Sequence, residues 1–254
     1  YYIKIGSDAS DASSANAFAA SLKQQGIIAQ VVFSDSWQVW SGAYSSEAEA
    51  RAGIDNVVQK TGLIPCSVIA PASNRIAVTD SKSKPLCVFQ SASSYLTIQP
   101  SESNNPRIFK IEGKPYRGIL EIRRSEPGCL TAINIVTIQE YLYGNVPAEI
   151  GGRSPVEALK AQAVASKMYA INNLGKHAKS GFDLCATTGC QVYKGYSVEV
   201  ESCNKAIDEV YDKIITYNGE PARHIYYFAS SGGITEDVKN VWGSSYPYLV
   251  SVED

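Results

Sequence analysis

The chain has 254 residues, and 44% of them are hydrophobic, which is enough for a substantial core and too many for a disordered chain. The formal net charge is −2, so no surplus of basic residues can neutralise a phosphate backbone, which argues against nucleic acid as a partner. No apolar run approaches the roughly 20 residues of a membrane helix. The sequence starts at Tyr1 without a Met or a signal peptide, and we therefore expect an upstream signal or anchor to have been removed.

Residues 1–70 predict a small α+β unit with the element order β-α-β-β-α-β. Ser46 is placed to cap the second helix, Glu49 follows three residues later as in a capping box, and Gly62 ends the helix. The predicted strands and helices cover residues 1–5, 14–25, 27–33, 37–40, 46–60 and 68–70.

The segment 37–58 of this unit reads WQVWSGAYSSEAEARAGIDNVV. An aromatic strand, a Gly, a second aromatic residue and a helix that starts with Ser and acidic residues resemble the SPOR domain. The resemblance implies a ferredoxin-like fold that binds peptidoglycan glycan strands, often strands without stem peptides. The alternative is a ferredoxin-like fold without a ligand.

The next part of the chain, residues 71–145, shows the pattern of short strands separated by turn residues. The strand-like runs cover residues 75–78, 86–89, 95–98, 108–111, 118–123 and 132–136, and the polar segment 99–106 is predicted to be a loop.

A helix is predicted from Pro155 to Leu174. Ser154 is a suitable N-cap, Pro suits the first helical position, and Gly175 ends the helix. Beyond it, the sequence predicts a helix over 200–211 and strands over 214–217 and 224–229. The whole chain is therefore predicted to be α+β.

Glu149 is the residue that we expect to carry chemistry. It lies in Asn145-Val146-Pro147-Ala148-Glu149-Ile150, and apolar neighbours leave a carboxyl group poorly solvated, as a general acid and base requires. A position at the entry to the helix that follows would act in the opposite direction, because a helix N-terminus favours negative charge. The alternative role is a helix cap.

The stretch from Glu140 to the C-terminus contains seven ordered motifs. They read EYLYGNVPAEI, SPVEALKAQAVASKMYA, FDLCATTGCQVY, ITYNGEPA, ASSGGITED, VWGSSYPYL and SVED. These motifs resemble the SpoIID/LytB family, which comprises stage II sporulation protein D and the amidase enhancers. The β-rich segment 71–139 fits the front part of the same domain, so the resemblance covers residues 71–254.

The resemblance implies a lytic transglycosylase that cuts between N-acetylmuramic acid and N-acetylglucosamine and leaves a 1,6-anhydro product. The catalytic Glu of the family falls on Glu149, which protonates the glycosidic oxygen and then takes the proton of the muramyl 6-hydroxyl. Ordinary glycosidases need a second carboxylate, for which Glu236 is the best candidate. The family's substrate-binding positions fall on Lys160, Gln162, Lys167, Gln191, Tyr193, Ser230, Ser231, Gly232, Gly233 and Thr235.

For several of these positions the residue type itself suggests a role in substrate binding, beside a purely structural alternative. Lys160 and Lys167 are seven residues apart, share a helix face and are expected to hold a substrate carboxylate, the alternative being a solvated face. The family usually has Arg at position 167, and Lys lacks its bidentate fork. The turn 230–233 is expected to present backbone donors to a sugar, or to be an ordinary tight turn.

A second site is predicted around Cys185 and Cys190, which have the spacing C-x4-C. Together with His177 they offer two thiolates and one imidazole, which suits a structural zinc ion. The resemblance supports this interpretation, since some family members bind zinc here, although the family often has His where Gly189 stands. The alternative is a disulfide, which an exported location favours. No cofactor is expected to be required for the reaction.

The sequence thus predicts a SPOR-like domain at 1–70 and a SpoIID/LytB-like catalytic domain at 71–254, in an extracytoplasmic or anchored cell-wall protein. Tyr occurs 16 times, and its ring and hydroxyl suit carbohydrate as well as β-sheets. The predicted partners are peptidoglycan glycan strands. The alternative function is a non-catalytic amidase enhancer that binds glycan and recruits a cell-wall amidase.

Overall fold

The computed structural model describes residues 1–62, 65–83, 85–101, 103, 105–126, 129–228 and 230–254. Helices and strands are both present, and a long run of strands precedes the main group of helices, which confirms the predicted α+β class. The chain divides into two compact units, one formed by Tyr1–Leu96 and Ile122–Thr131, the other by Thr97–Glu121 and Ala132–Asp254. In the described part of the chain, no helix combines the length and the apolar character that crossing a bilayer requires.

The first unit begins with the predicted order of four strands and two helices. The elements are β1 (Tyr2–Ile5), α1 (Ala12–Gln24), β2 (Ala29–Ser34), β3 (Trp37–Ser41), α2 (Glu47–Thr61) and β4 (Cys66–Ile69). The Asp11 carboxylate accepts a hydrogen bond from the Ser14 N–H, which is why α1 starts two residues before the predicted position. Ser46 caps α2 as predicted.

Two further strands, β5 (Ile76–Thr79) and β6 (Pro85–Gln90), extend the same sheet, whose order is β4-β1-β3-β2-β6-β5. β6 lies parallel to β2, with Val88 beside Val32, and both side chains are buried. The predicted boundary at residue 70 therefore falls inside a continuous sheet, because pairing with β2 covers an edge that a four-stranded sheet leaves open. The SPOR and ferredoxin-like assignments remain predictions.

One face of this sheet packs against the two helices. Ile3, Ile5 and Val39 from the strands contact Ala15, Ala19 and Leu22 of α1 in a core of buried side chains. The period-two alternation of the strands places Val32 and Trp40 on the opposite face, where they form a second small cluster with Val88.

The second unit combines short strands with a helical core. Its strands, some of which contribute residues to both units, are β7 (Leu96–Ile98), β8 (Ile108–Ile111), β9 (Lys114–Arg117), β10 (Ile119–Glu126), β11 (Cys129–Ile135), β12 (Thr216–Tyr217) and β13 (Glu220–Pro221). Its helices are α3 (Ile138–Ile150), α4 (Val156–Asn172), α5 (Glu201–Glu209) and α6 (Val238–Trp242), with 3-10 turns at Ala178–Ser180 and Gly195–Val198.

The structure corrects several predicted elements of this unit. Glu149 lies in the last turn of α3, a helix that the sequence did not predict, and therefore at a helix C-terminus and not, as expected, at a helix N-terminus. The Ser154 hydroxyl donates to the Ile150 carbonyl of α3 and does not cap α4. The predicted strand 214–217 is reduced to β12, and residues 224–228 form no strand. Ala229 lies outside the described residues.

Helices α3, α4 and α5 pack together through a common core. Leu142 and Val146 of α3, Leu159 and Ala163 of α4, and Ile207 of α5 are all buried in it. This arrangement fixes the C-terminal turn of α3, and with it Glu149, against the rest of the unit.

Candidate functional site

Two side chains of α3 form hydrogen bonds with the backbone N–H and carbonyl groups of Val192. Asn145 and Glu149 lie one turn apart on the helix, so both side chains face the same segment. The Glu149 Oε1 atom accepts a hydrogen bond of 2.6 Å from the Val192 N–H, and the Asn145 Nδ2 atom donates to the Val192 carbonyl at 2.9 Å. Glu149 is half-buried, and no Lys, Arg or His among the described residues forms an ion pair with it.

Gln191, the preceding residue, connects two tyrosines. Its side chain is 1% exposed; Oε1 accepts from the Tyr141 hydroxyl at 3.1 Å, and Nε2 donates to the Tyr227 oxygen at 3.3 Å. Burial raises the pKa of both tyrosines, and the nearby Glu149 carboxylate contributes to each shift. Both hydroxyls therefore keep their protons at neutral pH; that of Tyr141 is donated to Gln191, and that of Tyr227 is not used in its bond with Gln191.

Gln162 and Tyr193, two further predicted site residues, border this network. Gln162 is buried in α4 and donates to the Ser166 hydroxyl at 3.0 Å. The ring of Tyr193 stacks on Tyr141 with 5.3 Å between centroids. A Cβ atom at Gly144 would lie 2.6 Å from the Tyr193 ring, so only Gly allows this close packing against α3.

The predicted cysteine and histidine ligands converge next to this segment. The ligand atoms of His177, Cys185 and Cys190 all lie within 4.8 Å of one another, and the His177 Nε2 atom is 3.3 Å from the Cys190 sulfur. The pKa of Cys185 is lowered to about 6, chiefly by a hydrogen bond with the Thr187 hydroxyl. Neither Cys185 nor Cys190 forms a disulfide in the structure.

These three residues fit a zinc ion chemically. Zinc prefers thiolate and imidazole ligands in a tetrahedral arrangement, in which ligand atoms lie about 3.5 Å apart. A thiol with a lowered pKa is ready to bind as thiolate. Cys190, Gln191 and Val192 are consecutive, so the same short segment joins this cluster, the tyrosine network and Glu149.

The structure does not bring the two predicted lysines to Glu149. Lys160 forms ion pairs with Glu157 and Glu209 at 2.9 and 2.7 Å. Lys167 is 5% exposed, and its ammonium group donates to the carbonyls of Tyr211 and Lys213. The two side chains do share a helix face, but that face packs on α5 and the turn after it.

The predicted turn 230–235 makes its contacts with the C-terminal residues. Gly233 N–H bonds to the Ser231 hydroxyl, and Thr235 exchanges hydrogen bonds with Val252. Ser230, Gly232 and Gly233 are exposed. The exposed Glu236 carboxylate accepts from the Asn240 amide at 2.7 Å. None of these described contacts involves Glu149.

A cavity of about 860 Å³ opens in the second unit beside the tyrosine network. Tyr227 and Cys190 line it, together with Tyr169, Arg223, Tyr226 and Trp242. Neither Arg223 nor Trp242 was predicted from the sequence, although Trp242 lies within the motif VWGSSYPYL. Asn145 was also missed, because its four-residue spacing from Glu149 has meaning only once α3 is known to be a helix.

Comparison with known proteins identifies the region that carries this site. Residues 126–217 match the family model described as SpoIID: Stage II sporulation protein. That range includes α3, α4 and the segment from His177 to Tyr193.

Several relatives share this part of the chain. An amidase enhancer of Bacillus subtilis is 34% identical over 160 residues, 63% of this chain and 22% of its own length. Stage II sporulation protein D of the same organism is 30% identical over 137 residues, 48% of this chain and 40% of its own. An uncharacterized protein of Brachyspira hyodysenteriae is 38% identical over 124 residues, 48% of this chain and 33% of its own.

The chain thus spans between about a fifth and two fifths of the lengths of these relatives. The match to the family model and the similarity to both named kinds of relative agree on one assignment. Residues 126–217 of this chain therefore match the SpoIID family.

Proposed function

We propose that this protein binds peptidoglycan glycan strands and cleaves them as a lytic transglycosylase, with Glu149 as the general acid and base. The observation that supports this most is the setting of the Glu149 side chain. It is half-buried, bonded to Val192 N–H through one oxygen, free of ion pairs with the described residues, and near enough to Tyr141 and Tyr227 to help raise the pKa of each.

The proposed reaction needs only one carboxyl group. Glu149 donates its proton to the glycosidic oxygen as the bond from that oxygen to the muramyl anomeric carbon breaks. The 6-hydroxyl of the same sugar then attacks that carbon, and the Glu149 carboxylate takes the hydroxyl proton. The acid is regenerated, no water is consumed, and the product is a 1,6-anhydro sugar. A second carboxylate, which Glu236 was predicted to supply, is unnecessary in this scheme.

The surrounding residues keep the acid in place. Val192 N–H orients one carboxyl oxygen, which leaves the other to exchange the proton. We further propose that His177, Cys185 and Cys190 would hold a zinc ion in a structural role. Such an ion would restrict the movement of the segment that contains Val192. The Tyr227 hydroxyl, which accepts a hydrogen bond from Gln191, has its own proton left to donate to a sugar oxygen or an N-acetyl group.

We propose an extracytoplasmic, cell-wall location, because that is where the proposed glycan substrate is found.

The second candidate function is that of a non-catalytic amidase enhancer, which binds glycan and recruits or activates a cell-wall amidase. It is favoured by the relative named amidase enhancer, which matches 63% of this chain. The carboxyl group is then a structural clamp for Val192, and the cavity serves binding alone.

Two substitutions at Glu149 separate these roles. Glu149→Gln keeps an acceptor for Val192 N–H but loses the acidic proton, whereas Glu149→Ala removes both. With glycan strands freed of stem peptides as substrate, mass spectrometry should detect anhydro-muramyl ends with the wild type and none with either variant. Only Glu149→Ala should also lose stability, by about 1–3 kcal/mol, because the Val192 N–H is left without its acceptor.

The matched control is Glu236→Gln, which removes the exposed carboxylate and should leave cleavage unchanged. Wild-type protein that binds glycan without producing anhydro ends would support the enhancer function instead, and stimulation of an added amidase would then be the decisive measurement. Full cleavage by Glu149→Gln would refute the proposed mechanism.

A further inference from the structure

The cavity beside Tyr227 has a wall of exposed aromatic rings. Tyr226 and Trp242 stack on each other with 5.4 Å between centroids and 17° between ring planes, and Trp242 is 64% exposed. An exposed aromatic pair at a cavity is a common mark of a ligand site. The position of Trp242 is defined by α6, which Asp237 caps and Gly243 ends in the left-handed conformation.

The charge of this cavity is positive. Lys176 and Arg223 line it, and no Asp or Glu does so among the residues that the structure describes. Lys176 is occupied by the Tyr169 hydroxyl and the Gly189 carbonyl, at 3.2 and 2.9 Å. Arg223 is exposed, its backbone is held by the Tyr248 hydroxyl, and its guanidinium group forms no ion pair within the described ranges.

We propose that Arg223, Tyr226 and Trp242 form a subsite for a sugar ring that carries a free carboxylate. The flat indole of Trp242 matches the apolar face of a pyranose, and the guanidinium fork matches a carboxylate in bidentate geometry. In peptidoglycan, such a carboxylate is the lactyl group of a muramic acid that has no stem peptide. Attachment of a peptide converts this group into an uncharged amide.

This inference rests on the proposed function for the identity of the sugar chain. The subsite is connected to the proposed catalytic group through Tyr227, which lines the cavity and is hydrogen-bonded to Gln191. The next residue, Val192, donates its N–H to Glu149. Arg223 would thus distinguish a muramic acid with a free lactyl carboxylate from one that carries a peptide. It would determine specificity and take no part in proton transfer.

The test compares two muramic-acid oligosaccharides that differ only in the lactyl group, one with a free carboxylate and one with a methylamide. Binding is measured by calorimetry on the Glu149→Gln background, so that no cleavage occurs. The carboxylate form should bind about tenfold more tightly, as expected for a charge-assisted hydrogen bond. Arg223→Gln should abolish that preference and leave the affinity for the amide form unchanged.

Two further variants make the result specific. Trp242→Ala should weaken both oligosaccharides equally, because stacking does not depend on the lactyl charge. Arg153→Gln removes another exposed arginine of the same unit and should change neither affinity. A full carboxylate preference in Arg223→Gln, or no binding of either sugar by the parent protein, would overturn the subsite.

Failure of the subsite and failure of the proposed function can be told apart. Cleavage by the wild type together with a retained preference in Arg223→Gln refutes the subsite alone. A carboxylate preference that depends on Arg223, found in a protein that never cleaves glycan, establishes the subsite and refutes the lytic reaction.

Discussion

The clamp on Val192 predicts a specific loss of stability in Asn145→Ala. The Asn145 side chain is fully buried, and its Nδ2 atom donates to the Val192 carbonyl at 2.9 Å. Its removal breaks one hydrogen bond and leaves that carbonyl without its donor, which together cost about 2 kcal/mol. For a unit of this size, the thermal midpoint should fall by about 4–8 °C.

Asn145→Asp is the sharper variant, because it has nearly the same size but exchanges the donor for an acceptor. At neutral pH a carboxylate oxygen then faces the Val192 carbonyl oxygen, so we expect a greater loss than in Asn145→Ala. Burial raises the pKa of such a carboxyl, so the folded protein holds the proton more tightly than the unfolded chain does. Stability should therefore recover as pH falls, since the protonated group regains a donor.

The assay is thermal unfolding followed by circular dichroism at pH 7 and pH 5, together with the measurement of anhydro-muramyl ends. Both variants should cleave glycan more slowly at a temperature where they are folded, because Glu149 is positioned through the same peptide. An Asn145→Asp protein as stable as the wild type at pH 7 would refute the reasoning. It would mean that the Asn145 side chain contributes volume and no hydrogen bond.

Three other perturbations have expected outcomes. Lys167→Met should lower the free energy of unfolding by about 1–3 kcal/mol, since two carbonyls lose their donor, while glycan affinity stays unchanged; a selective loss of affinity would restore the substrate role predicted from the sequence. Gly144→Ala should cost a similar amount in denaturant unfolding, because the new methyl group overlaps the Tyr193 ring, and a neutral effect would contradict that packing. In metal-free protein, iodoacetamide should modify Cys185 with a midpoint near pH 6 and spare Cys203 at neutral pH, because burial raises the pKa of the latter to about 11; modification of Cys185 only above pH 8 would contradict the assigned thiolate.

Local sequence signals determined the parts of this protein that depend on neighbouring residues. The Ser46 cap, the Gly62 stop and the alternating strands predicted the first six elements in the right order. The spacing of Cys185 and Cys190, with His177 before them, predicted ligands that the structure brings within 4.8 Å. These features could be predicted from the sequence because the residues that form each of them lie close together along the chain.

Tertiary structure alone decided which groups surround Glu149. The Lys167 ammonium group donates to carbonyls 44 and 46 residues away, and the Val192 N–H donates to Glu149, which is 43 residues away. The helix α3 contains a Pro and a Gly, both of which weaken local helix propensity, and it forms because Leu142 and Val146 pack against α4 and α5. Contacts of this kind depend on packing between segments that are distant in the sequence, so no local sequence pattern predicts them.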